Sequence, residues 1–213
     1  MGFQRIHQTT QLVSDIYGKH LTRDFFLWCM SAIYLVAFAS LFVQIPGLYG
    51  DNGVLPAKLV VETDATSLKD LFTSQPTLLR VTSAVGLDVQ TGMDVLCLAG
   101  IILSFVAMIS SVQRNCIVFG LLWVLYLSLY QVGQTFLSFQ WDILLLETGF
   151  LTLILAPLNK FGFASRPVNH QHDAIGLWLV KWLTFRLMYA SGVVKLTSGC
   201  PTWWGLTGRY STL

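Results

Sequence analysis

Four ionisable residues lie in very apolar parts of the sequence, where a charge is hardest to accommodate. Asp142 and Glu147 lie close together, and Lys181 and Arg186 lie further along, within the apolar stretch 174–196. A charge at the centre of a membrane costs about 2.5–3.5 kcal/mol on insertion scales, so such residues usually need partners. Two interpretations follow: the charges form a path for protons, ions or substrate, or they form structural ion pairs that hold helices in register.

Glu147 and Arg186 can meet if their segments form neighbouring antiparallel helices. At 1.5 Å per residue, Glu147 is about 8 Å and Arg186 about 13 Å from the same end of these helices. An ion pair between the two is therefore geometrically allowed, and a structural role for it is the simpler interpretation.

Gln131 and Gln134 are two further polar residues in an apolar run. Three residues apart on one helix, they would lie on the same face. They would either line a polar groove or form hydrogen bonds between helices, each worth about 1 kcal/mol or less in a membrane.

The sequence contains no constellation typical of a metal centre, a catalytic nucleophile or a nucleotide site. His170 and His172 form a His-x-His pair without a nearby Cys or carboxylate pair, which is a weak signal for a metal. The P-loop, His-Glu-x-x-His, Cys-x-x-Cys and Gly-x-Ser-x-Gly patterns are absent. We therefore predict no metal, no cofactor and no motif-based catalytic residue.

Composition places all these residues in a membrane protein. The chain has 213 residues, of which 54% are hydrophobic and 11% charged, and its mean hydropathy is +0.62. An ordinary soluble domain has about 25% charged residues, so a water-soluble globule or a disordered chain does not fit. The net charge of +2 is too small to indicate nucleic acid as a partner. The length suits one helical membrane domain, residues 1–213.

Long uncharged runs predict the transmembrane helices. The longest, 115–141, contains no Asp, Glu, Lys or Arg, and a hydrocarbon core of about 30 Å needs about 20 helical residues. Two weaker segments carry the embedded charges, yet they are too apolar to lie in water. We predict an all-α bundle of about five spans, at 26–45, 95–112, 117–139, 143–158 and 174–196.

The distribution of Lys and Arg favours a cytoplasmic N-terminus, which places the segment 46–92 on the outer side. Turn-forming Gly and Pro residues divide this segment, and they predict short helices at 68–73 and 77–84 along the membrane surface. Cys97 and Cys200 would both lie near this oxidising side, so a disulfide between them is allowed; the alternative for Cys97 is a small buried apolar residue.

Several segments resemble the lipase maturation factor family. They are LVAFASLFVQIPGLYG at 35–50, Gln140-Trp141-Asp142 with Glu147, and SGVVKLTSGCPTWWGLT at 191–207. The resemblance covers roughly residues 25–207. It implies a multi-span protein of the endoplasmic reticulum membrane, without enzymatic activity, that helps secretory proteins such as lipases to fold, assemble or leave the compartment.

The end of the chain departs from that family. Its members continue through a Tyr-His-Tyr-Glu-Thr-Gln-like stretch into a long lumenal region, whereas this sequence reads GRYSTL at 208–213. The resemblance therefore implies a truncated form, which would be inactive if the missing region holds the client.

A more distant likeness concerns Lys195. The stretch GVVKL at 192–196, followed by Trp203, is similar to the helix end that carries the catalytic lysine of vitamin K-dependent γ-glutamyl carboxylase. This likeness implies a lysine that acts as a base, and no other catalytic group follows from so short a match. The corresponding hypothesis is a membrane enzyme that uses Lys195, with Glu147 as a second group nearby. The alternative is a lysine that extends to the membrane interface. A third hypothesis is a transporter-like bundle with Asp142, Glu147, Lys181 and Arg186 as its polar path.

Overall fold

The computed structural model describes residues 2–62, 77–84, 86–157 and 172–205, and within these ranges the chain is helical without any strand. The all-α class predicted from the sequence is confirmed for this part of the chain. The α-helices are α1 (Gly2–Leu48), α2 (Lys58–Glu62), α3 (Leu79–Ala84), α4 (Val89–Ile109), α5 (Cys116–Val132), α6 (Gln140–Leu155), α7 (His172–Thr197) and α8 (Pro201–Trp204), with 3-10 helices at Ser111–Gln113 and Gln134–Leu137.

Helix α1 is the element around which the others pack. Its most extensive interface is with α4, and it also contacts α6 and α7. Helices that follow one another along the chain are neighbours, so α4 packs on α5, α5 on α6, and α6 on α7. The buried residues of α1 recur every three or four positions, which is the spacing of a single helix face. They include Leu27, Met30, Tyr34, Phe38, Leu41 and Ile45.

Two glycines let aromatic side chains of α1 approach neighbouring helices closely. The ring of Phe38 lies against Gly100 of α4, only 2.6 Å from the position that a Cβ atom would occupy. The hydroxyl of Tyr34 lies against Gly149 of α6 in the same way. Small residues at such positions let helices come together in a membrane, where packing replaces the hydrophobic driving force.

The outer surface of the bundle is apolar. Large side chains such as Val36 and Val43 on α1 and Ile102 and Phe105 on α4 are exposed, and an apolar surface of this extent indicates contact with lipid. By length and hydropathy, the segment Gly18–Leu48 of α1 and the whole of α4 can cross a membrane, while α5 is apolar but shorter. The architecture is a membrane helical bundle, and the count of five spans stays a prediction.

The third predicted span, 117–139, extends beyond the helix that the structure shows. Helix α5 ends at Val132, and a 3-10 helix follows from Gln134. The buried side chain of Leu137 occupies the space where a Cβ atom of Gly133 would lie, and Gln134 has a φ of 44° in the left-handed region. This packing ends the helix at a point where the hydropathy pattern continues.

The chain segments at the end of the bundle where α1 and α5 finish are tied to the bundle. The Tyr49 hydroxyl donates a hydrogen bond of 2.8 Å to the carbonyl of Gly133, and the Thr77 hydroxyl donates one of 3.0 Å to the carbonyl of Ser128. Leu79 of α3 is fully buried and packs where α4 has Gly92. The predicted helix at 77–84 is present as α3 and packs on α4, while its position along the membrane surface stays a prediction. The predicted helix at 68–73 lies outside the described residues.

The contact between Phe38 and Gly100 yields a test with an internal control. We expect Gly100→Ala to lower the thermal midpoint of the detergent-solubilised protein, because the added methyl group meets a fully buried ring. Such overpacking costs about 1–3 kcal/mol. Gly120→Ala introduces only an ordinary contact of 3.6 Å with Leu153, and it should stabilise by up to about 1 kcal/mol through helix propensity. Equal midpoints for the two variants in a fluorescence size-exclusion assay would contradict the packing described.

Candidate functional site

Asp142 is held by a hydrogen bond inside the bundle. The Tyr126 hydroxyl of α5 donates to Asp142 Oδ1 of α6 at 2.7 Å, and both side chains are buried. The rings of Tyr34 and Phe38 on α1 pack edge-on against the Tyr126 ring, with centroids 6.3 Å and 5.7 Å away. The carboxylate therefore links α5 to α6 within an aromatic layer that α1 completes.

Two buried oxygen atoms near this layer have no hydrogen-bond partner. They are the second carboxylate oxygen of Asp142 and the hydroxyl of Tyr34. A buried polar atom without a partner carries its full desolvation cost, so these two oxygens reduce the stability that the layer gains from packing.

Glu147 and Arg186 form an ion pair between α6 and α7, through Glu147 Oε2 and Arg186 Nη2. The two side chains are 35% and 54% exposed, and the groups around them are apolar. A cavity of about 460 Å³ beside the pair is lined by Trp123 and Phe150, among others. In lipid each charge serves as the other's partner, which fits the structural interpretation of the pair.

The four intramembrane charges do not converge on one path. Asp142 and Glu147 are five residues apart, so they point about 140° apart around α6, one toward α5 and the other toward α7. Lys181 is exposed and does not line the cavity that contains Arg186. The arrangement links helices in pairs and does not line a channel.

The structure corrects the expectation that Gln131 and Gln134 share one face of a helix. Gln131 is in the last turn of α5, while Gln134 begins the 3-10 helix after the break at Gly133. The left-handed backbone at Gln134 changes the direction of the chain between them. Both side chains are half-buried at the end of the bundle where α5 finishes.

Lys195 lies at the exposed end of α7 and contacts an aromatic ring. Its Nζ atom is 4.8 Å from the centroid of the Trp203 ring in α8, and Trp204 Nε1 donates a hydrogen bond of 3.1 Å to the carbonyl of Leu196. Glu147 binds Arg186, which is nine residues, or about 13 Å along the helix, from Lys195. The structure therefore does not bring Glu147 and Lys195 together.

The disulfide between Cys97 and Cys200 is not present, because both residues are free thiols. Cys97 is fully buried in α4, whereas Cys200 follows α7 at the surface. Hydrogen bonds with the side chain and then the backbone of Thr202 lower the pKa of the Cys200 thiol. The position of Cys97 in the core fits the alternative expectation, a small buried apolar residue.

Sequence reasoning missed the partners that organise this site. Tyr126 is the hydrogen-bond partner of Asp142, and Trp123 Nε1 donates a bond of 2.9 Å to the carbonyl of Leu146. Trp123 and Tyr126 lie about one turn apart in the apolar run of α5. The indole N–H of one and the hydroxyl of the other were the one signal in the sequence that this helix donates hydrogen bonds. The sequence did not indicate which neighbouring helix each donor would reach.

Apolar exposed faces, charges paired between helices and a long buried stripe on α1 together define a membrane-embedded helical bundle. The chain belongs to the lipase maturation factor family: residues 21–211 match the model of the lipase maturation factor transmembrane domain. The family resemblance stated from the sequence is thereby confirmed.

Individual relatives agree with this assignment. The chain is 53% identical over 191 residues to lipase maturation factor 2 of Xenopus laevis and 45% identical over 203 residues to that of Homo sapiens, each match covering 89% of the chain. It is 35% identical over 192 residues to lipase maturation factor 1 of Mus musculus, covering 88% of the chain. These matches cover 27%, 28% and 32% of the relatives' own lengths. No solved structure matches the chain.

The ion pair between α6 and α7 yields the second test. We expect Glu147→Ala and Arg186→Ala each to reduce the yield of folded protein, because each leaves a lone charge in the membrane at a cost of about 2.5–3.5 kcal/mol. The double variant should be less impaired than the sum of the two single variants, and the exchanged pair Glu147→Arg with Arg186→Glu should recover part of the yield.

Lys181→Ala serves as the control, since this exposed lysine is on the same helix outside the pair. The measurement is the monodisperse peak of a fluorescent fusion in size-exclusion chromatography. Single and double variants that all accumulate like the parent would show that the pair does not stabilise the bundle.

Proposed function

We propose that this chain takes part in the maturation of secreted lipases, as a membrane-embedded factor without enzymatic activity of its own. The observation that carries the proposal is the family match over residues 21–211, together with relatives that are named for lipase maturation. The match covers the transmembrane bundle, so the proposed contribution of this chain is the membrane part of the process.

The proposed location is the endoplasmic reticulum membrane, with the N-terminus in the cytoplasm. The distribution of Lys and Arg between short flanking segments supports this orientation. The ends of α1, α5 and α7 with residues 48, 132 and 197 would then face the lumen, where lipases fold.

The lumenal end is proposed to be the working surface. The hydrogen bonds from Tyr49 to Gly133 and from Thr77 to Ser128 fix the segments that connect the helices there. Trp203 and Trp204 fold back onto the end of α7, where tryptophan rings suit the membrane interface. A preformed surface of this kind supports binding of a client or of further lumenal domains.

The proposal assigns Lys195 a structural role rather than that of a base. Its ammonium group faces the Trp203 ring, an interaction worth about 0.5–1 kcal/mol at an exposed site, and no carboxylate is paired with it among the described residues. This contact supports an interface lysine that helps to hold α8 against α7. Asp142 and Glu147 face different neighbouring helices, so they do not form the polar path that a transporter would need.

The decisive test is lipase secretion from cells that lack the family's own members. We expect expression of the 213-residue chain to raise the activity of a secreted lipase, measured per unit of lipase protein in the medium. A full-length relative of the lipase maturation factor 2 type serves as the positive control. If that relative restores activity while the chain, accumulating to the same level, leaves it at the level of empty vector, the chain does not perform this function alone.

The role of Lys195 is tested by two substitutions in the same assay. We expect Lys195→Arg to leave lipase secretion unchanged, because an arginine also stacks on an aromatic ring. Lys195→Ala should reduce lipase secretion only in proportion to any fall in the abundance of the variant chain. Loss of the effect in both variants at normal abundance would contradict a purely structural role, since an arginine keeps the contact with the Trp203 ring.

A further inference from the structure

An open groove of about 760 Å³ runs along one face of α1, beside the beginning of α6. On α1 its lining extends from Ala32 to Leu48, which is about 24 Å along the helix axis. This length approaches the hydrocarbon thickness of about 30 Å, so the groove is long enough to hold a second helix that crosses the membrane beside α1. The family assignment and the proposed function make no use of this groove.

Two polar side chains of α1, Ser40 and Gln44, line the groove and are exposed. The Gln44 amide donates a hydrogen bond of 2.9 Å to Ser40 Oγ, and among the described residues neither side chain makes another. The carbonyl and the second N–H of Gln44 and the hydroxyl hydrogen of Ser40 therefore remain available. In a membrane such groups form hydrogen bonds between helices.

The groove offers no accessible charge. Asp142 is the only Asp, Glu, Lys, Arg or His in its lining, and it is 6% exposed and bonded to the Tyr126 hydroxyl. Ile33 and Val36, which are exposed, belong to the apolar wall. The occupant that fits this surface is an apolar helix with a neutral group that both donates and accepts hydrogen bonds.

Helix α1 of a second copy has this chemistry. A contact with two-fold symmetry uses the same patch on both copies, so the patch must be complementary to itself. A glutamine meets this requirement, because its amide is both donor and acceptor. Two copies with the same orientation in the membrane place Gln44 opposite Gln44 at one depth.

The other exposed helix faces are less suited to a symmetric contact. Helix α7 is exposed over most of its length but carries the exposed Lys181, and a two-fold contact there would bring two ammonium groups to the same depth in lipid. The exposed side chains of α4, such as Ile102 and Phe105, are apolar. They provide no hydrogen bond that would fix two copies in register.

We propose that this groove is the interface of a symmetric homodimer, in which α1 of each copy lies in the groove of the other. The carbonyl of each Gln44 accepts a hydrogen bond from the amide of the partner's Gln44. The small side chains of Ala32, Ala37 and Ser40, which line the groove on α1, let the two helices approach closely.

The test measures energy transfer between donor-labelled and acceptor-labelled copies of the chain in phosphatidylcholine vesicles, over a range of protein-to-lipid ratios. We expect transfer above the level of random proximity, which an excess of unlabelled chain abolishes. The dependence on protein-to-lipid ratio gives the dissociation constant of the dimer.

Two variants alter the groove, and each has a matched control. Gln44→Leu should raise the dissociation constant at least about fivefold, because it removes both symmetric hydrogen bonds. Its control is Thr184→Val on α7, an exposed position whose hydroxyl already bonds the carbonyl of Val180. Val36→Trp should abolish the dimer by filling the groove, whereas Ile102→Trp, at a similarly exposed position on α4, should leave it intact.

Oxidative cross-linking locates the contact directly. We expect Val36→Cys to form a disulfide-linked dimer in the membrane, because symmetry places the two new thiols near each other. Ile102→Cys and the parent chain, which keep the four native cysteines, should remain largely monomeric under the same oxidation.

Dimerisation that is weakened by Gln44→Leu and Val36→Trp and retained in both controls supports the proposal. A chain that is monomeric at all ratios, a dimer that Gln44→Leu leaves unchanged, or a cross-link at residue 102 and not at residue 36 would overturn it. Vesicles that contain only phosphatidylcholine and this chain exclude another protein as the occupant. None of these results depends on whether the chain alters lipase secretion.

Discussion

Hydrocarbon offers no hydrogen bonds, so a polar side chain that these helices carry into the membrane is stabilised chiefly by a partner within the protein. Helix α6 meets this constraint in two directions. Asp142 receives a hydrogen bond from Tyr126 of α5, and Glu147 binds Arg186 of α7. A separation of five positions turns the two carboxylates about 140° apart around the helix. One short helix thereby fixes the position of both its neighbours.

Packing around α1 supplies what the polar contacts do not. Tyr34 and Phe38 reach neighbouring helices at Gly149 and Gly100, where the absence of a side chain lets a ring lie against the backbone. Close contact of this kind contributes dispersion energy, which in lipid is a main source of helix association. The same two rings pack on Tyr126, so the packing of α1 and the hydrogen bond of Asp142 stabilise each other.

Much of the fold was predictable, because a helix that crosses a bilayer needs a certain length and an apolar composition, and both are visible in the sequence. Uncharged runs indicated the helices that contain 26–45 and 95–112, and the structure has α1 and α4 there. The prediction failed at 133–139, where hydropathy continues but the buried Leu137 side chain and the backbone of Gln134 end the helix. The helix predicted at 77–84 is present as α3, but the sequence did not indicate that Leu79 would pack against the opposing Gly92.

The sequence by itself determined that this is an all-helical membrane protein of the lipase maturation factor family, because hydropathy and family motifs depend only on the linear order of the residues. It also indicated that Glu147 and Arg186 were within reach of each other. Only the tertiary structure decided that Asp142 faces Tyr126, that Cys97 and Cys200 are free thiols, and that Lys195 contacts Trp203. Partners of this kind depend on the rotation of each helix about its own axis, which is set by side chains on other helices.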